Sequence, residues 1–103
     1  MWAQLISMRL KPGKDTELPR LYEELRATEQ PGSGLLRTTA FRDQKDPSRI
    51  YHMVVFESEE HARQREQDSR RTESLNAARA TMAEIFEGPP EFIDLTVIEE
   101  NTY

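Results

Sequence analysis

RIYHMVVFE, residues 49–57, interleaves two sets of side chains. One set is Ile50, His52, Val54 and Phe56; the other is Tyr51, Met53, Val55 and Glu57. In a strand the two sets point to opposite faces. Both are largely apolar, so this segment belongs in the middle of a sheet with material packed on each side. Its β-branched and aromatic content agrees. Only His52 is out of keeping, a titratable ring inside an apolar run.

LLRTTAFR (35–42) lies just upstream and has strand composition. The polar DQKDPS (43–48) joins the two, with Asp46-Pro47 as turn initiator, which predicts an antiparallel hairpin. Downstream, Ser58 is placed to cap a helix with Glu59 and Glu60 in its first turn. EHARQREQD is so polar that this helix should be short and exposed. A longer helix is predicted over 70–87 from the stripe Leu75, Ala78, Met82, Ile85 and Phe86. Gly88 fits a left-handed helix cap, and Pro89-Pro90 forbids continuation. EFIDLTVIE (91–99) reads as the last strand.

At the other end, WAQLISMRL (2–10) is a strand halted by KPGK. TELPRLYEELRATE (16–29) is a helix whose buried face is Leu18, Leu21, Tyr22 and Leu25. Asp15 or Thr16 is placed to cap it, and Pro19 is tolerated because it falls in the first turn. QPGSG (30–34) ends it.

The order is β-α-β-β-α-β, over a single domain spanning 1–103. It predicts an α+β, ferredoxin-like fold: a four-stranded antiparallel sheet, strands 1 and 3 central, with both helices on one face. Strands 1 and 4 are also apolar on both sides: Ile6 and Met8 oppose Ala3 and Leu5, and Phe92 and Ile98 oppose Ile93, Leu95 and Val97. The helices cover one face only. The other would exceed the apolar patch of a few hundred Å² that a soluble monomer usually shows. Burying it is worth about 10 kcal/mol before the costs of association. The simplest cover is a second copy, sheet against sheet, in a two-fold homodimer.

Composition removes several classes of function. Net charge is −5, from 14 basic and 19 acidic side chains that are mixed along the chain. The isoelectric point is near 5.1, so no nucleic-acid partner is expected. There is no cysteine, which excludes disulfides and thiolate chemistry and fits a cytoplasmic location. No apolar run is long enough for a membrane span, and MWAQLISMRLKPGK does not read as a signal peptide. The two histidines are nine residues apart without a matching acidic pattern, so no metal site is expected. Neither a nucleophile elbow nor a phosphate-binding P-loop is present.

The stretches RLKPGK (9–14), QPGSGLLRTTAFRDQKDP (30–47), YHMVVFESEEHA (51–62) and IFEGPPEFIDL (85–95) occur in this order over nearly the whole chain. In that respect the chain resembles the dimeric α+β barrel superfamily, and within it the antibiotic biosynthesis monooxygenase-like group. The resemblance implies a homodimer whose sheets form a barrel, and a pocket between sheet and helices in each subunit. Members include cofactor-free monooxygenases acting on aromatic polyketides, haem-degrading enzymes, isomerases, and proteins of no known activity. Two departures stand out. Such relatives often carry Trp at the end of strand 3, where this chain has Phe56, and a His on the following helix, near Arg65 here. Haem-degrading members use an Asn on strand 1, a Trp and a haem-ligating His. Strand 1 has no Asn here, the only Trp is Trp2, and residues 70–87 hold no His, so haem degradation is not expected.

The implied activity is cofactor-independent oxygenation of a small aromatic or polyketide-like substrate. The alternatives are an isomerase or cyclase on the same scaffold, and a non-catalytic, small-molecule-binding or stress-related dimer. His52 is the candidate base, since its ordinary pKa suits proton removal from a phenol or an anthrone-like carbon acid. It could equally be a structural histidine with a hydrogen-bond partner. Tyr22 is a candidate ligand-binding hydroxyl or a core residue. Arg37 is a candidate for binding an enolate or carboxylate, or a rim residue paired with Asp94 or another acid. Arg65 is a candidate through its position in the resemblance, or a solvated helix residue. His61 reads as surface.

Overall fold

A computed structural model describes residues 1–103. The elements are β1 (Trp2–Leu10), α1 (Leu18–Ala27), β2 (Leu35–Arg42), β3 (Arg49–Phe56), α2 (Glu59–Glu66), α3 (Thr72–Ile85) and β4 (Phe86–Thr96). Short 3₁₀ turns at Asp15–Glu17 and Ser69–Arg71 lead into α1 and α3. The sheet order is β2-β3-β1-β4, antiparallel throughout. This is the expected ferredoxin-like α+β architecture, with β1 and β3 central. No helix is long and apolar enough to cross a membrane.

Two local expectations fail. Neither Asp15 nor Thr16 caps α1 with its side chain; a 3₁₀ turn precedes the helix, and Pro19 sits in its first turn. By contrast Ser58 does cap α2, accepting the His61 amide at 3.2 Å. Gly88 is not a helix cap. Phe86 is already extended (φ −106°, ψ 147°), so β4 starts there rather than at 91. Gly88, at φ +67°, lies inside the strand. The ladder pairs Ser7 with Glu91 but Arg9 with Glu87, so residues 88–90 bulge out opposite Met8. An edge strand tolerates this, because Pro89 and Pro90 have no amide to offer a neighbour.

The helices cover the face of β3 that carries Ile50, His52, Val54 and Phe56. At one end Met8, Leu10, Ile50 and Phe86 pack with Leu18, Leu21, Ala78 and Ile85. At the other end Trp2, Phe56 and Ala62 form a smaller cluster. The outer face carries Leu5, Tyr51, Met53, Phe41, Ile93 and Leu95, with no helix over it; Phe41 is 49% and Ile93 42% exposed. The strand stops at Thr96, and the tail turns across that outer face. Arg37 on edge strand β2 reaches Glu100, beyond the opposite edge strand, at 2.6 Å. Ala3 and Val55, in the same cross-strand row as Arg37, are buried although they face outward.

Candidate functional site

His52 sits between the two core clusters. Its cross-strand neighbours are Ile6 on β1 and Ala40 on β2, and Ile6 in turn pairs with Phe92 on β4. Tyr22 descends from the buried face of α1 onto the imidazole. Its hydroxyl lies 3.3 Å from Nε2, and the rings meet edge-on at 5.3 Å between centroids. His52 is 9% exposed, with no carboxylate beside it. Burial therefore lowers its pKa from 6.5 to about 4. Burial raises the Tyr22 phenol, with Arg42 acting weakly in the other direction.

At neutral pH the imidazole is uncharged, with one donor nitrogen and one acceptor nitrogen. Nδ1 makes no hydrogen bond, yet it is not among the sealed, unpartnered atoms of the molecule. It thus keeps some contact with the outside. Towards β4 the floor opens: Ile6 is half-buried and Phe92 is 57% exposed. Beyond it Gln4 Nε2 donates to Asp94 at 2.9 Å, and Arg63 Nη2 donates to the same carboxylate at 3.1 Å. Arg63 also lies 5.2 Å from the Trp2 ring centroid. The sequence reading missed this polar edge. Its signal was Gln4, a polar residue on the otherwise apolar even face of strand 1.

Of the four candidate residues, the fold brings His52 and Tyr22 together. Arg37 lies on the opposite face of the sheet, paired with Glu100 rather than Asp94. Arg65 lies on α2, where Nε donates to Glu29 at 3.1 Å and the guanidinium stands 5.4 Å over Phe56. His61 is half-buried and more engaged than a surface residue. Ser58 Oγ is 2.7 Å from its Nδ1, Glu57 is 3.5 Å from Nε2, and the Gly34 backbone packs closely against the ring. Five cavities indent the surface, and two of them have largely polar linings. One of about 470 Å³ lies near Arg9, Lys11 and Arg42, and one of about 250 Å³ near Arg65. Neither borders the Tyr22–His52 pair.

Residues 1–83 match the family model described as antibiotic biosynthesis monooxygenase. No curated protein matches. Among solved structures the chain is similar to a variant of SnoaB, a cofactor-independent oxygenase from Streptomyces nogalater: TM-score 0.72 at 15% identity, covering 96% of this chain and 94% of that one. It is similar also to Rv0793 from Mycobacterium tuberculosis, with TM-score 0.74 at 16% identity and 98% of each chain covered. A protein of unknown function from Nitrosomonas europaea gives TM-score 0.74 at 17% identity, over 99% of this chain and 93% of that one. At these identities the likeness is one of fold.

Proposed function

The chain belongs to the antibiotic biosynthesis monooxygenase family, and on that premise we propose that it is a cofactor-independent monooxygenase of small aromatic, polyketide-like substrates. The observation that carries the reading is the buried Tyr22–His52 pair between sheet and helices, open towards Ile6 and Phe92. The name of SnoaB, a structural neighbour, supports the same reaction class.

In this reading an anthrone, or a hydroquinone reacting as the keto tautomer that carries a ring CH₂, rests on Phe92 and Ile6. The neutral imidazole of His52 removes its acidic proton. A base of pKa about 4 is weak, so the substrate must be one whose conjugate base is strongly delocalised. Protonation makes both ring nitrogens donors. The Tyr22 oxygen then accepts from Nε2, which frees its own O–H to hydrogen-bond the developing enolate oxygen. The carbanion gives one electron to dioxygen, and the radical pair recombines as a peroxide. Loss of water turns the CH₂ into a carbonyl: CH₂ and O₂ become C=O and H₂O, with one oxygen atom retained. Arg37, on the opposite face of the sheet, and Arg65, which holds Glu29 through Nε and Nη2, are assigned no part in this reaction.

The active species in this proposal is a homodimer joined through the outer faces of the two sheets. The low basicity of His52 favours one other reading, a dimer that binds a small apolar ligand without turning it over.

Oxygen uptake with a panel of anthrones and hydroquinones separates the two. Wild type, His52→Ala and Tyr22→Phe are compared at matched folding and dimerisation. The oxygenase reading expects uptake that falls about 100-fold or more in His52→Ala and less steeply in Tyr22→Phe. Saturable binding of the same compounds without uptake would sink it in favour of the binding protein.

A further inference from the structure

Where α2 runs into α3, the charges do not balance. Arg71 is 5% exposed, yet no carboxylate pairs with it. Its Nη1 donates to the Arg65 carbonyl oxygen at 3.1 Å, and its Nε is sealed without any partner. The two acids that act on it are already engaged, Glu29 by Arg65 and Asp68 by Arg70. Three guanidinium groups thus share two carboxylates, and Arg79 adds to the repulsion. A buried cation in that position calls for a further anion.

Beside this cluster opens the cavity of about 250 Å³, lined by Gly32, Ser33, Gln64, Arg65, Asp68 and Arg70, none of them apolar. Its donors are not used up, although the Gln64 amide already donates one hydrogen to Glu60 at 3.4 Å. Arg70 holds Asp68 through Nε and Nη2, and Arg65 holds Glu29 through the same two atoms, so Nη1 of each is free. Ser33 Oγ accepts the Leu35 amide at 3.2 Å and keeps its own proton to donate. Gly32 leaves space, with no atom within 4 Å of where a side chain would begin. Asp68 is the one opposing group, and its charge is already held by Arg70.

We propose that this cavity is an anion site that takes a phosphate group, free or as a phosphomonoester. Two Nη1 edges, the Ser33 hydroxyl and the Gln64 amide suit a tetrahedral oxyanion. The ligand adds negative charge to a junction where three guanidinium groups share two carboxylates, contacting Arg65 and Arg70 directly while Arg71 does not line the cavity, and it ties the 31–34 loop to the end of α2.

An amide NMR titration of the full chain tests this, with inorganic phosphate and phenyl phosphate as probes and sodium chloride at equal ionic strength as control. The expected result is saturable shifts at Ser33, Gly34, Gln64 and Arg70 with phosphate and none with chloride. Tighter saturation by phenyl phosphate identifies a phosphomonoester site; saturation by inorganic phosphate alone identifies the free anion. Arg70→Ala should weaken binding about tenfold, and Arg26→Ala, on the exposed face of α1, should leave it unchanged. If Arg70→Ala misfolds, Gln64→Glu puts a carboxylate into the lining and should abolish binding in a folded chain. Shifts that never saturate, that follow chloride, or that survive Gln64→Glu overturn the proposal.

Discussion

His52 is neutral because it is buried beside a phenol and no carboxylate, and this gives the fold a pH dependence of defined sign. The folded pKa is about 4 against 6.5 in the unfolded chain. Between those values the unfolded chain holds a proton that the folded chain does not. The contribution is therefore complete above pH 6.5 and is lost as pH falls towards 4, about 3 kcal/mol at the acid end. Urea unfolding at pH 7 and pH 5 should show wild type losing about 2 kcal/mol more than His52→Gln; equal losses would mean that burial does not lower the pKa of the ring. From the sequence His52 was visible as the odd residue in RIYHMVVFE, and Tyr22 as part of the helical stripe of α1. Their meeting was not, because both faces of β3 are apolar and either could have met the helices. Arg37 and Arg65 illustrate the converse. Residue type suggested anion binding for Arg37, and position in the family resemblance singled out Arg65, but their ion pairs with Glu100 and Glu29 depend on chain crossings that no local pattern encodes.

At the level of elements, two glycines with similar backbone angles should behave differently. Gly34 (φ +77°) packs so closely that an added Cβ would lie 2.4 Å from the His61 ring. Gly88 (φ +67°) has nothing within 4 Å. Gly88→Ala should cost about 1 kcal/mol, from backbone strain alone. Gly34→Ala should cost about 2–3 kcal/mol, since the ring and its bond to Ser58 must also shift. Thermal or chemical unfolding of the two variants ranks them, and equal costs would argue against the close Gly34–His61 packing. Gly88 also shows where pattern reading stops. A glycine followed by two prolines after an amphipathic stripe suits a helix cap as well as a strand bulge. The pairing of Phe86 and Glu87 with β1 decides between them, and that is a tertiary event.

For the molecule as a whole, period-two patterning carried the reading a long way. It exposed the two-sided apolarity of the strands, and with it the uncovered outer face; the sheet order came from the β-α-β-β-α-β element order. It could not show the tail, because VIE (97–99) looks like more strand. If the outer faces meet in a dimer, Met53→Lys should yield monomers by sedimentation and remove the concentration dependence of the melting temperature. A variant that still dimerises would place the interface elsewhere.

The tail also bears on how fast two copies could meet. Arg37 is largely solvent-exposed and Glu100 partly so, with side chains 58% and 29% accessible. Such a pair contributes no more than about 1 kcal/mol, little above thermal energy. The last residues should therefore lift off and resettle continually, without a committed opening step. An approaching copy then finds the strip over Ala3 and Val55 clear for an appreciable share of encounters. Association would be limited by the orientation of two flat sheets, on the order of 10⁵–10⁷ M⁻¹s⁻¹, and not by the unlatching of a lid.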